Sequence, residues 1–242
     1  MKVAFNPDEE IGRGVVHFPV ERFGAAAAYT VDGSTAGELQ EETFSAAQVR
    51  LRIRGRAIHP GWAKGELVNA IKLAADVVAR LPRDARSPET TSGRDGFVHP
   101  TLVQGDSSEA ELRFICRDFE EDLLEGHIEL LRGIAREVEA SEPRCRIEVE
   151  ARSQYKNMRD VLAQHPEIVD NLEEAIRRVG LEPKRTAIRG GTDGSALTEL
   201  GLPCPNIFTG GHDAHSEREW ICVEDLGLAA ATIVELAKVW AE

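Results

Sequence analysis

Phe44-Ser45-Ala46-Ala47-Gln48-Val49-Arg50-Leu51-Arg52-Ile53-Arg54 places Ala47, Val49, Leu51 and Ile53 on one parity and Gln48, Arg50, Arg52 and Arg54 on the other. Side chains of a strand point alternately to opposite faces, so this period of two predicts a half-buried antiparallel strand with a basic outer surface. Working outward, Gly55 to Gly65 is a loop carrying His59-Pro60-Gly61. Leu67 to Leu81 then shows helical spacing and stops before Pro82. A further loop, Ser87 to Gly96, leads to strands at Phe97 to Val103 and Glu111 to Asp118, a second amphipathic helix over Leu123 to Ala140, and an alternating run from Arg144 to Ala151. Strand, helix, strand, strand, helix, strand is the order of the ferredoxin-like α+β sandwich. It is expected over residues 44–155, as a domain inserted into something else.

The flanks have another texture. Residues 156–242 predict helices over Pro166 to Val179, Ala196 to Leu200 and Val223 to Trp240, alternating with short buried strands at Thr186 to Ile188 and Pro205 to Phe208. Alternation of that kind indicates an α/β layer. Residues 1–43 are expected to complete it. Val3-Ala4-Phe5 predicts the end of a buried strand, and Ala25 to Gly33 another with Asp32 at its C-terminal end, where ligands gather in a mostly parallel sheet. An ordinary Asp-Gly turn is the competing reading of Asp32. Gly37 to Glu42 is polar and reads as the end of this unit.

The charge balance narrows the partners. A net charge of -13 argues against nucleic acid and anionic membranes, which require basic surface, and favours a small-molecule partner. Cys116, Cys145, Cys204 and Cys222 form no Cys-x-x-Cys pair, so they read as scattered reduced thiols rather than a zinc ribbon or redox motif. With neither a membrane-spanning run nor a signal-peptide core, a cytosolic protein is expected.

Three stretches carry chemistry. Asn6-Pro7-Asp8-Glu9-Glu10-Ile11-Gly12 crowds three carboxylates beside turn-forming Pro7 and Gly12. Acids so close repel unless one is protonated or a cation lies between them, so the choice is a metal site or an acidic surface turn. Gly210-Gly211-His212-Asp213-Ala214-His215-Ser216-Glu217 again sets ligand-type side chains after an apolar run, and imidazole with carboxylate is a zinc donor set. Arg189-Gly190-Gly191-Thr192-Asp193-Gly194-Ser195 allows close backbone approach to a ligand, with Arg189 as a forked donor for a carboxylate. Its other reading is a tight turn capped by Asp193 or Ser195. It lacks the lysine of a P-loop.

Taken together with Tyr29-Thr30-Val31-Asp32-Gly33, Ile58-His59-Pro60-Gly61-Trp62-Ala63-Lys64, Asn69-Ala70 and Gly201-Leu202-Pro203-Cys204-Pro205-Asn206, these stretches resemble the zinc metallopeptidase family that includes tripeptide aminopeptidases, aminoacylase and glutamate carboxypeptidase. The resemblance runs from about Val3 to the C-terminus. It implies a metal-bearing α/β domain (1–43 and 156–242) interrupted by a lid or dimerisation domain (44–155), two zinc ions, a short peptide substrate and pairing of two copies through the lid. Carried over by position, it makes Glu9 the general base, Glu10 and His215 ligands of one zinc, Asp32 a ligand of the other, and His59 the oxyanion donor. Arg117, Asn157 and Arg189 would hold the substrate, and His212 would be a neighbour of the ligand. The family also places a His-x-Asp motif and a bridging aspartate upstream of the Glu-Glu pair, and no His-x-Asp occurs here. The expectation is a truncated reading frame, inactive by itself. The rivals are half of a split enzyme, a deacylase or dipeptidase, and a non-catalytic dimerisation module.

Overall fold

The structure is a computed structural model that describes residues 1–242. In chain order its elements are α1 (Val20–Phe23), β1 (Thr30–Gly33), β2 (Glu38–Thr43), β3 (Ser45–Arg54), α2 (Ala70–Ala79), β4 (Phe97–Gly105), β5 (Glu109–Asp118) and α3 (Glu121–Ser141). They continue with β6 (Arg146–Tyr155), α4 (Arg159–Leu162), α5 (Pro166–Arg178), β7 (Lys184–Ile188), α6 (Asp193–Glu199), β8 (Asn206–Phe208), β9 (Gly211–His212), β10 (Trp220–Ile221) and α7 (Val223–Val239). Contacts divide the chain into Met1–Phe44 with Tyr155–Glu242, and Ser45–Gln154.

The Ser45–Gln154 unit is a four-stranded sheet in the order β4-β5-β3-β6. Strand β5 pairs antiparallel with both β3 and β4. Val49, Leu51 and Ile53 of β3 and Leu112 and Phe114 of β5 are fully buried. Helix α2 adds Ala70, Ala74 and Val77 to the same core, and α3 adds Ile128, Leu131, Ile134 and Val138, each series at helical spacing. Asn69 caps α2 by accepting from the amides of Ile71 and Lys72, so the helix starts later than Leu67. Pro100 is tolerated because β4 is an edge strand and owes no hydrogen bond on its outer side. The polar parity carries ion pairs, Arg54 to Glu109 at 3.1 Å and Arg113 to Glu111 at 2.6 Å among them, with Arg50 paired to Glu150.

In the other unit the sheet order is β1-β8-β2-β7. It is mixed rather than mostly parallel: β1 with β8 and β2 with β7 run parallel, while β2 and β8 run antiparallel. Helix α5 begins with Pro166 at its first turn and buries Val169, Leu172, Ala175 and Ile176 with Ala229 and Leu236 of α7, over Leu39, Ile207 and Phe208 of the sheet. Tyr29 ties these helices to β1, donating to the Ile168 carbonyl at 2.8 Å and accepting from Trp240 Nε1 at 2.9 Å.

Two local expectations are overturned. Val3-Ala4-Phe5 is not a strand, and Val3 and Phe5 are 65% and 93% exposed. An apolar triplet becomes sheet only where a neighbour pairs its amides, and none of the strands does so. Glu38–Thr43, read as a polar terminus, is the strand lying between β8 and β7. Its acids are tolerated because Glu41 pairs with Arg185 at 3.2 Å and Glu42 with Arg159 at 3.0 Å, while Leu39, Gln40 and Thr43 are buried.

Leu112 has no exposed surface, so Leu112→Ala is expected to cost about 2–5 kcal/mol. Arg54→Ala, which breaks only exposed ion pairs, is expected to stay within about 1 kcal/mol. Urea denaturation of both variants measures the contrast, and equal losses would mean that the outer ion pairs and not the core hold the sandwich.

Candidate active site

Glu9 and Glu10 stand on a single 3-10 turn, Glu9–Ile11, bracketed by left-handed residues Asp8 (φ 64°) and Gly12 (φ 67°). Two reversals in five residues are what bring consecutive side chains to one side, and a short acid and a glycine are the residue types that accept such φ values. The turn closes with Gly12 N donating to Glu9 O at 2.7 Å and Arg13 N to Asp8 O at 3.0 Å. Asp32 lies on β1 where the parallel register with β8 slips between Val31 and Gly33. The slip leaves Asp32 as the unpaired residue of a bulge, a device that re-aims a side chain at a sheet edge. His215 is also left-handed, at φ 63°, and its Nε2 sits 3.0 Å from Glu10 Oε2.

Glu9, Glu10, Asp32, Asp193 and His215 are electrostatically coupled. Glu9 is pushed up to about 7, first by loss of water and then by the charges of Asp32, Asp193 and Glu10, with His215 pulling the other way. Asp32 is pushed up to about 6 by the same kind of desolvation together with Glu10 and Asp193. Asp32 is an exposed residue by area, so screening by solvent limits what that shift means for stability.

Asp193 is the participant that sequence reasoning read only as a helix cap. The cap is Thr192, in a reciprocal capping box with Ser195; Asp193 is instead nearly buried and accepts from Asn6 Nδ2 at 2.9 Å. Gly14 packs on its carboxylate so closely that a Cβ there would lie 2.3 Å from both oxygens. The Asn6…Asp193 pairing could have been suspected from two polar motifs each following an apolar run, although nothing in their spacing joins them.

The remaining expected site residues have definite places. The Asn157 Oδ1 accepts from the amides of Thr43 at 3.1 Å and Arg159 at 3.0 Å, so it fastens backbone. Arg189 follows β7 with its guanidinium 5.2 Å from the Phe44 ring centre. His212 stacks on Trp220 across the β9–β10 hairpin, ring centres 4.4 Å apart. His59 and Arg117 belong to the sandwich unit. His59 Nδ1 accepts from the Gly61 amide at 3.1 Å, which puts the proton of a neutral ring on Nε2 as an outward donor. Arg117 lies over Phe97, 5.9 Å from the ring centre, and its Nε is buried without a partner.

The donor types suit a divalent cation, and the Glu9 and Asp32 carboxyls, raised first by burial and then by their acidic neighbours, stand where a cation would relieve the negative charge. No group of three or more His, Cys, Asp or Glu side chains closes to ligating geometry in this structure. The cluster therefore fits a metal in charge and in donor chemistry, with Glu10 and His215 as the one pair already in contact.

Residues 42–143 match the family described as Peptidase dimerisation domain. Beyond it, the whole chain is similar to peptidase T: the Salmonella schwarzengrund (strain CVM19633) protein is 44% identical over 243 residues, covering 100% of this chain and 59% of that relative. The chain thus spans 59% of the length of the curated relatives it matches. Among solved structures, a Staphylococcus aureus tripeptidase superposes with a TM-score of 0.78 at 20% identity, and an aminopeptidase of Bacillus cereus ATCC 10987 with 0.76 at 22%. Each alignment covers 98% of this chain and 63% of the other. A dinuclear metal binding peptidase of the M20 family from Bacillus subtilis gives a TM-score of 0.67 at 19% identity, over 98% of this chain and 64% of the other. These likenesses show that the chain shares its fold with those structures.

In the chain freed of cations, the Glu9 carboxyl is expected to titrate near 7 and Asp32 near 6. Both values lie above those of the unfolded chain, so the folded state binds more protons between about pH 4 and 7 and the stability owed to these groups falls as pH rises through that window. Carbon-13 NMR of the side-chain carboxyls, with urea melts across the same range, checks both parts. Because His215 lowers Glu9, His215→Ala should move the Glu9 midpoint upward; a downward move would show that the imidazole is not its cationic partner.

Proposed function

We propose that this chain carries the proton-transfer carboxylate and part of the metal-binding set of a zinc-dependent aminopeptidase that removes the N-terminal residue of tripeptides. The observation that carries the reading is the convergence of Glu9, Glu10, Asp32, Asp193 and His215, from four separate stretches, onto one coupled cluster, in a chain 44% identical to peptidase T along its whole length. Glu10, Asp32 and His215 would hold the metal. When bound, zinc supplies a Lewis acid that polarises the scissile carbonyl and makes water nucleophilic at neutral pH.

The chain's own residues do the rest. Glu9 takes a proton from the attacking water and returns it to the departing amine, the general acid–base role of a positioned carboxyl. Asp193, fixed by Asn6 and Gly14, keeps negative charge behind Glu9 and so sustains its basicity. Arg189 offers a planar donor fork to the peptide's terminal carboxylate. The acidic surface, net -13, agrees with a small-molecule partner. The cysteines are unpaired, consistent with a reducing compartment such as the cytoplasm, and no helix is long and apolar enough to cross a membrane. The dimerisation-domain match over residues 42–143 supports pairing of two copies through the sandwich.

The test is kinetic. In the zinc-loaded protein bearing this sequence, Glu9→Gln should lower tripeptide kcat by about 10²–10⁴-fold with little change in KM. Zinc content and the melting curve should stay unchanged. Retained turnover, or turnover confined to N-acyl amino acids in a substrate panel, would overturn the aminopeptidase reading.

A further inference from the structure

One level of the mixed sheet is polar from edge to edge. Thr30 of β1 lies opposite Asn206 of β8, Asn206 opposite Gln40 of β2, and Gln40 opposite Thr186 of β7. Residues directly opposite in a sheet share a face, and the adjacent Leu39 and Ile207 go to the other face, into the core with α5 and α7. Asn206 has no exposed surface and Gln40 is 4% exposed. Asn206 Nδ2, Gln40 Oε1 and Thr186 Oγ1 are buried with no hydrogen-bond partner. A row that leaves such atoms unpaired is a poor device for stability, so its use is to be sought in what Asn206 does hold.

Asn206 Oδ1 is the meeting point of two elements. It accepts from Thr30 Oγ1 and, at 3.2 Å, from Thr192 Oγ1. Thr30 stands immediately before the bulge that sets Asp32, between Val31 and Gly33. Thr192 is the N-cap of α6, where its hydroxyl also accepts from the Ser195 amide at 3.4 Å, and Asp193 is the next residue. Gly194 closes the junction, since a Cβ there would lie 2.5 Å from Asn206 Oδ1 and 2.8 Å from Thr30 Oγ1. A single buried oxygen thus ties the helix that starts with Asp193 to the strand that carries Asp32, two acids whose charges act on one another.

We infer that Asn206 is a positioning residue for the metal cluster: by holding Thr30 and Thr192 together, it fixes where Asp32 and Asp193 stand relative to each other. Being fully buried, it touches neither metal nor substrate and acts through those two acids. Asparagine suits the task, because its carboxamide oxygen has two lone pairs for two hydroxyls and adds no charge beside a cluster of acids. The inference rests on the metal-binding reading given above and deepens it.

The test uses the whole chain with zinc alone as the probe, its affinity read by competition with a chelating dye. Hydrogen exchange of the zinc-free chain is read beside it. Asn206→Leu should weaken zinc by about 10- to 100-fold and speed exchange of the Ser195 and Ala196 amides, which donate to Thr192. Thr192→Val should do the same, and Thr192→Ser, which keeps the hydroxyl, should restore both. The double variant Thr30→Val/Asn206→Leu removes the pair together and leaves no Thr30 hydroxyl stranded, so it should fold and still bind zinc weakly. Thr198→Val controls for a merely structural role: it breaks buried bonds of the same helix, to the Gly194 carbonyl at 2.8 Å and from the Cys204 amide at 3.0 Å. It should lower the urea midpoint and leave zinc affinity within about twofold. Equal zinc affinity in the unaltered chain and the folded double variant would overturn the inference, as would a loss in Thr198→Val as large as in Asn206→Leu. An unaltered chain that takes up no zinc would overturn the metal-binding reading itself, and this inference with it.

Discussion

Like charges held together are the constraint around which the Met1–Phe44 and Tyr155–Glu242 unit is arranged. Glu9, Glu10, Asp32 and Asp193 would separate if the backbone let them, and the Glu9 and Asp32 carboxyls are raised first by burial and then by this repulsion. Each is fixed by a local feature that costs stability: left-handed Asp8 beside Glu9, the bulge at Asp32, left-handed His215, and burial of Asp193 against Gly14. Strain of this sort persists only where the surrounding fold over-determines it. Here the over-determination comes from β1 and β8, whose parallel pairing ties Thr30 to Asn206 and Val31 to Ile207, and from Gly194, whose lack of a Cβ lets α6 start against Asn206 and the Cys204 carbonyl.

The sandwich unit has the opposite economy. Its inner parity in β3 is apolar from Ala47 to Ile53, Arg50 and Arg54 of the outer parity pair with acids of β5 and β6, and its two helices bury residues at regular helical spacing. Local preference and global packing agree at nearly every position, which is the condition for a sequence to specify a fold. The exceptions are two buried atoms without a hydrogen-bond partner, His127 Nδ1 beside Asp118 and Arg117 Nε.

That contrast explains what could be read from the chain. Alternation in Phe44 to Ile53 and helical spacing in Leu123 to Ala140 are statements about residues and their immediate neighbours, and the structure places β3 and α3 there. β2 was illegible because its polarity is neutralised by Arg159 and Arg185, which lie more than a hundred residues away. Val3-Ala4-Phe5 misled for the converse reason: local hydrophobicity says nothing of whether a partner strand exists. In the site, Glu9, Glu10, Asp32 and His215 stood out because their residue types are costly to crowd. Asp193 did not, because at the start of a helix an aspartate has an ordinary reason to be present.

Asn157 and Arg189 show how far residue type alone carries a role. Both can hold a peptide carboxylate by chemistry, yet Asn157 Oδ1 is already engaged by two backbone amides and its Nδ2 lies 3.4 Å from Glu42 Oε1. Drawing it toward a ligand would strand the Thr43 and Arg159 amides, at about the cost of an unmade hydrogen bond each. Arg189 is engaged in its own way, its guanidinium lying over the Phe44 ring at 5.2 Å from the ring centre. Two residues of equal promise in the sequence are thus already engaged by neighbours that residue type alone does not reveal.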